Sequence, residues 1–106
     1  MMSWPDDADG DVFRRLSSHG FDFDRPWLID FNVDFDGWPP SAEALSRLAR
    51  EFPSVVVFEP SEEGDGYVQF QIHAQVTYAL VTRIQAEVSE WMAPYGGACE
   101  SWGVLH

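Results

Sequence analysis

The segment Trp27 to Phe35, W-L-I-D-F-N-V-D-F, alternates without a break. Trp27, Ile29, Phe31, Val33 and Phe35 take every second position, and Leu28, Asp30, Asn32 and Asp34 fall between them. Successive side chains of an extended chain point to opposite faces. The segment therefore has one wholly apolar face and one mostly acidic face, the pattern of a strand half buried in an open sheet. The apolar face needs a cover. The acidic face has no apolar reason to be covered, so it is the first place to look for function.

A second alternation runs from Tyr67 to His73. Val68, Phe70 and Ile72 point one way, and Tyr67, Gln69, Gln71 and His73 the other. Between the two, Asp36-Gly37-Trp38-Pro39-Pro40 reads as a turn and Ser41 as a helix N-cap. A helix is expected from about Ala42 to Phe52, with Ala42, Leu45, Leu48, Ala49 and Phe52 as its apolar stripe and Pro53 as its stop. Ser54 to Phe58 reads as a short, continuously apolar strand, followed by a hairpin turn on Pro60 and E-E-G-D-G. A longer helix is expected from about Val76 to Ala93. Leu80, Ile84, Val88 and Trp91 line one face of it, with Val81 and Met92 at the edges. Pro94-Tyr95-Gly96-Gly97 ends that helix, and the last strand is Ala98 to Leu105. At the start, residues 1–8 read as a flexible acidic tail. Asp9 or Asp11 then caps a short helix through about Ser18, with Val12, Phe13 and Leu16 on one side and Gly20 just past its end. No repeat or low-complexity linker divides the chain, so residues 9–106 are expected to form one domain.

After the first helix the order is strand, helix, strand, strand, helix, strand. Two helices covering one face of an antiparallel sheet make an α+β sandwich, and this order is the ferredoxin-like βαββαβ arrangement. Its first and third strands are neighbours in the middle of the sheet. The open face then sets Asp30, Asn32 and Asp34 beside Tyr67, Gln69, Gln71 and His73.

Charge narrows what such a face can bind. Eighteen Asp and Glu stand against six Arg and no Lys, for a net charge of −12. Nucleic-acid binding is driven by cations that neutralise phosphates. RNA-recognition sheets stack bases on aromatics within a basic face. Here the central strand offers Asp30 and Asp34 and no cation, so the face should reject RNA. An anionic membrane surface is equally disfavoured, and no apolar run approaches the roughly 20 residues of a membrane helix. A basic protein segment suits the charge. The plainer reading is a solvated sheet face whose charge keeps the protein soluble. A single Cys, Cys99, permits no intrachain disulfide, and the acidic start is unlike a signal peptide, which together suggest a cytoplasmic protein.

Sites for chemistry are sparse. Asn32, Asp34, Asp36, Gly37 and Glu43 match a calcium-loop spacing. Against that stand Asn at the first position, the stiffening Pro39 and Pro40, and a strand where a helix should precede. Cys99 and His73 lie on strands separated by the first strand, about 10 Å apart at two strand spacings, too far for a nucleophile and its base. No phosphate-binding Gly loop is present, and no carboxylate pair is singled out. No catalytic residue, metal or cofactor is therefore assigned. Trp102 has two readings, a core residue or, if exposed, an interface anchor.

Two stretches carry a likeness to a known family. One is D-G-D-V-F-R-R-L-S-S-H-G-F-D-F, Asp9 to Phe23, an acidic start and short helix followed by Gly-x-Asp before the first strand. The other is G-G-A-C-E-S-W-G, Gly96 to Gly103. With the βαββαβ order, they make the chain resemble the family of the ribonuclease E inhibitor, regulator of ribonuclease activity B, over roughly residues 9–104. That family usually ends in a Tyr-Asp-Gly-Trp-Gly-like strand. Trp102 and Gly103 match it, whereas Cys99, Glu100 and Ser101 depart from its Tyr, Asp and Gly. The resemblance implies a non-enzymatic, acidic protein that binds an RNA-degrading endonuclease and lowers its activity.

The leading expectation is thus a binding module that docks on a basic segment of an endoribonuclease. Its expected contact residues are Asp30, Asn32, Asp34, Gln69, Gln71, His73 and Trp102. The alternatives are an immunity-type inhibitor of a toxin nuclease and, from another class, a small metal-assisted hydrolase using Asp30, Asp34 and His73. The hydrolase reading lacks the cations or metal ligands that anionic substrates require.

Overall fold

The computed structural model describes residues 4–52 and 54–104; residues 1–3, 53 and 105–106 lie outside it. The elements are α1 (Ala8–Ser18), β1 (Pro26–Phe35), α2 (Ala42–Glu51), β2 (Val56–Phe58), β3 (Tyr67–Gln75), α3 (Tyr78–Met92), a short 3-10 turn (Ala93–Tyr95) and β4 (Gly97–Val104). The four strands form one antiparallel sheet in the order β2-β3-β1-β4. This is the expected ferredoxin-like α+β arrangement, with β1 and β3 in the centre.

Alternation does what it should in β1. Ile29, Phe31 and Val33 are fully buried, while Asp30 and Asn32 are half-buried and Asp34 is exposed. Val68 and Phe70 of β3 join them, and Phe31 stacks on Phe70 with ring centroids 5.3 Å apart. Helices cover this side of the sheet. Phe13 and Leu16 of α1, Ala44 and Leu48 of α2, and Val81, Ile84, Val88 and Met92 of α3 complete a continuous core. Burying a side chain of this size contributes about 1.5–3 kcal/mol, so each strand position facing the helices resists displacement.

The helices are rotated from the expected phases. In α3 the buried stripe is Val81, Ile84, Gln85, Val88 and Met92, and Leu80 and Trp91 are only half-buried. Gln85 can be buried because its amide donates to Asp9 Oδ1 and to the Val81 carbonyl, each at 3.1 Å; a buried amide without partners would cost more than its burial returns. Trp91 lies instead at the edge, beneath the Arg47 guanidinium at 4.7 Å. In α2, capped by Ser41, the buried positions are Ala44 and Leu48, and Ala42 and Ala49 are exposed. Phe52, just past its end, stacks on Phe70 at 3.9 Å.

β2 departs further. The apolar run Ser54 to Phe58 reads as a continuous strand, yet only Val56–Phe58 is strand, and all three side chains are exposed. An apolar run signals burial only if the strand has covered neighbours. At the rim of a four-stranded sheet this one has such a neighbour, β3, on one side only.

Among the described residues, the N-terminal segment packs back on α1. Trp4 stacks on Phe13 at 5.5 Å, and Arg14 donates to the carbonyls of Trp4 and Pro5 at 3.1 and 3.2 Å. The Pro5 carbonyl oxygen would lie 1.8 Å from a Cβ on Gly10, so only glycine permits this approach. Asp7, and neither Asp9 nor Asp11, caps α1, accepting from the Gly10 amide at 2.7 Å. Asp9 is thereby free to turn inward. Its Oδ1 accepts from Trp102 Nε1 at 2.9 Å as well as from Gln85. Trp102, 9% exposed, sits against Phe13 with centroids 5.3 Å apart.

Two outcomes follow from this packing. Trp102→Ala should destabilise the protein by about 3–5 kcal/mol, the usual cost of removing a buried aromatic, read as a lowered denaturant midpoint in chemical unfolding.

The second concerns pH. Asp7 Oδ2 accepts from the Tyr78 hydroxyl at 2.5 Å. That bond, followed by the Gly10 amide, holds the Asp7 carboxyl below its ordinary value, and the same bond holds the Tyr78 hydroxyl above its own. Asp7 therefore contributes stability above the ordinary carboxyl range, lost as pH falls through its depressed value. Tyr78 contributes below the ordinary phenol range, lost as pH rises through its raised value. Tyr78→Phe should flatten both limbs of a melting-temperature profile, below about pH 4 and above about pH 10. A profile identical to that of the parent would refute the contact.

Candidate functional site

The face of the sheet turned away from the helices is built from β3, β1 and β4. Register places Leu28 opposite His73, Asp30 opposite Gln71 and Asn32 opposite Gln69. On the other side Asn32 is opposite Ser101, and Asp34 is opposite Ala98. The polar groups bond to one another across the strands. Gln71 Nε2 donates to Asp30 Oδ1 at 2.6 Å, and Gln69 Nε2 donates to Asn32 Oδ1 at 3.1 Å. Asn32 Nδ2 in turn donates to Ser101 Oγ at 3.1 Å. A row Gln69–Asn32–Ser101 thus spans three strands. Such cross-strand pairs are the unit in which a sheet face is held together.

Of the residues singled out from the sequence, Asp30, Asn32, Gln69 and Gln71 come together in this lattice. His73 stands exposed beside Leu28. Asp34 is exposed beyond the last β1–β3 pair, on the β4 side. Trp102 is not on this face: it pairs with Phe31 and points into the core, so the buried reading of this residue holds. Ser101 and Leu28 were missed. Leu28, 55% exposed, was visible in the alternation as the one apolar residue among the polar positions. It joins Arg25, Pro26, Trp27, Asp30, Gln71 and His73 in lining a groove at one end of the face, with the Arg25 guanidinium 4.0 Å over the Trp27 ring.

Ser101 was hidden by a bulge. Asn32 pairs with Ser101 but Val33 pairs with Cys99, so Glu100 is an extra residue in β4. Strict alternation would put Cys99 and Ser101 on one face. The bulge sends Cys99 into the core and leaves both Glu100 and Ser101 exposed.

Cys99 and His73 therefore lie on opposite faces with β1 between them. The Cys99 thiol is pushed up to about 12, by burial first and then by the charges of Asp34, Asp9 and Glu100. A thiol so protonated is a poor nucleophile. Asn32 and Asp34 sit in β1, Asp36 in the loop after it and Glu43 in the first turn of α2, so the calcium-loop spacing is split over three kinds of structure. Among the described residues, no three His, Cys, Asp or Glu side chains are grouped to hold a metal ion. Nor, among the described residues, is any helix long and apolar enough to cross a membrane.

Fold and face together define a small α+β protein whose open sheet carries bonded amides and carboxylates where RNA-binding sheets carry aromatics and cations. The chain belongs to the family of the regulator of ribonuclease activity B, whose model matches residues 6–104. No curated protein and no solved structure matches it. The family is one of regulators of ribonuclease activity, in line with the likeness carried by Asp9 to Phe23 and Gly96 to Gly103.

The environment of Cys99 leads to a direct expectation. In the folded protein at neutral pH the thiol should resist maleimide, and labelling should appear only as denaturant unfolds the chain. Rapid labelling of the native protein would contradict the burial of this side chain.

Proposed function

We propose that this protein binds an RNA-degrading endonuclease of the ribonuclease E type and lowers its activity, using the acidic side of the molecule against a basic segment of the enzyme. The observation that carries the reading is the family match over residues 6–104. Support comes from the net charge of −12 and from a central strand that presents Asp30 and Asp34 with no Lys or Arg. Opposite charge on two partners speeds their encounter and selects against wrong ones. The protein acts on the enzyme and leaves the RNA alone, because it has few cations with which to neutralise phosphates.

The test uses purified ribonuclease E, with binding and cleavage of a model RNA measured together. Raising salt from low to moderate should slow association strongly and change dissociation less. Asp30→Asn with Asp34→Asn should leave folding within about 0.5 kcal/mol, since both positions face away from the core. Exposed charge pairs contribute about 0.2–1 kcal/mol each. The double change should therefore weaken binding and inhibition by about two- to thirtyfold. Glu62→Gln with Glu63→Gln in the turn before β3 should do less. Parent-like binding by the Asp30/Asp34 variant together with loss in the turn variant would move the contact off the open face.

A further inference from the structure

The two rims of the sheet are unlike. At β4, Cys99 donates its N–H to Ser89 Oγ at 2.8 Å, and the Ser89 hydroxyl donates to the Cys99 carbonyl at 3.2 Å. These backbone groups are taken up by α3, and Glu100 adds a bulge and a charge beside them. Bulges and charges are the usual means of blunting a sheet edge. Within β2 there is neither. Its residues Val56, Val57 and Phe58 are 49, 38 and 38% exposed. It pairs with β3 on one side, and among the described residues no strand lies on the other. Val56 and Phe58 are opposite Gln69 and Tyr67, hence on the open face, where the Phe58 ring stacks on Tyr67 at 4.8 Å. Val57 is opposite Val68, on the core side. An unpaired edge of this kind offers N–H and C=O groups to another extended chain.

Charge selects the chain. Glu51 ends α2, and Glu59, Glu62, Glu63 and Asp65 follow β2, whereas no Lys or Arg occurs between Arg50 and Arg83. A second copy would bring the same acidic turn and its own −12 against this edge, which repels it. A cationic segment meets the opposite charge. We propose that the β2 edge takes up, as a fifth strand, an extended segment of the partner in which apolar residues alternate with Lys or Arg. The proposal rests on the reading that an endoribonuclease is bound, and adds where and in what conformation its basic segment lies. Backbone hydrogen bonds to Val56–Phe58 hold the segment. Its apolar side chains on one face lie against the Phe58–Tyr67 stack, and its nearest cations meet Glu51 and Glu59, which flank β2. The rest of the basic segment continues over the open face, where its cations meet Asp30 and Asp34.

The experiment follows amide exchange in the full chain with two probes. One is purified ribonuclease E. The other is a short synthetic peptide alternating Lys with Val, with a peptide of the same composition in blocks as control. The outward amides of Val56–Phe58 should slow by about tenfold or more with the nuclease. Val56→Lys with Phe58→Lys should weaken nuclease binding by about tenfold or more, as expected when charges blunt an edge. Should that variant fold poorly, exchange in the parent protein decides alone. Nuclease binding that leaves the β2 amides unchanged overturns the proposal while the nuclease reading stands. If the nuclease does not bind, that reading falls and the peptides decide the edge: protection by the alternating peptide and not by the block peptide upholds it, and protection by neither overturns it. Protection that rises with the protein's own concentration, without a probe, assigns the edge to a second copy and also overturns it.

Discussion

The register of β1 is the constraint from which the rest follows. Among the described residues it is the one strand paired along much of its length on both sides, with β3 and with β4. A slip of one residue would turn Ile29, Phe31 and Val33 outward and carry Asp30, Asn32 and Asp34 beneath the helices. Carboxylates in that position would lose their hydration with no cation to meet them, at a penalty of several kcal/mol each. The opposite order is therefore heavily disfavoured, and one strand sets which side of the molecule is core and which is acidic. The lattice of Gln69, Asn32, Ser101, Gln71 and Asp30 reinforces the same register through hydrogen bonds that form only when those positions are aligned.

A second, smaller centre lies on the helix side. One oxygen of Asp9 accepts from the indole of Trp102 and the amide of Gln85, tying α1 to the end of β4 and the middle of α3. The cap made by Asp7 and the absence of a side chain at Gly10 let the preceding residues fold back so that Trp4 reaches Phe13. Asp7 and Asp9, two residues apart in sequence, thus serve different ends: one faces the helix terminus and a tyrosine, the other the core.

Much of this was legible beforehand because period and punctuation agree. The alternations at Trp27 to Phe35 and Tyr67 to His73, the Ser41 cap and the stop at Pro94 suffice for most of the element order, and the order for the sheet; the stop read at Pro53 lies outside the described residues. What escaped depends on tertiary context. Helix phase turned on whether Gln85 would find a buried partner, which lies 76 residues away at Asp9. The exposure of Val56–Phe58 turned on the strand's place in the sheet, since the run itself is as apolar as a central strand. On the acidic face, parity placed Asp30, Asn32, Gln69 and Gln71 correctly. It failed in β4, where one extra residue reverses the count and hides Ser101, and it could not tell whether Trp102 faces inward.

The clasp of Ser89 on Cys99 has a consequence for how large an assembly this chain can build. Sheets with two receptive rims can stack end to end without limit, the geometry of fibres. Here the β4 rim is blunted where Ser89 of α3 engages the Cys99 backbone and Glu100 adds a charged bulge. Pairing between copies through β2 alone would close on itself after two, because the blunted β4 rim does not carry the sheet further. For a chain with Val-Val-Val-Phe near an open rim, that asymmetry works against fibre growth.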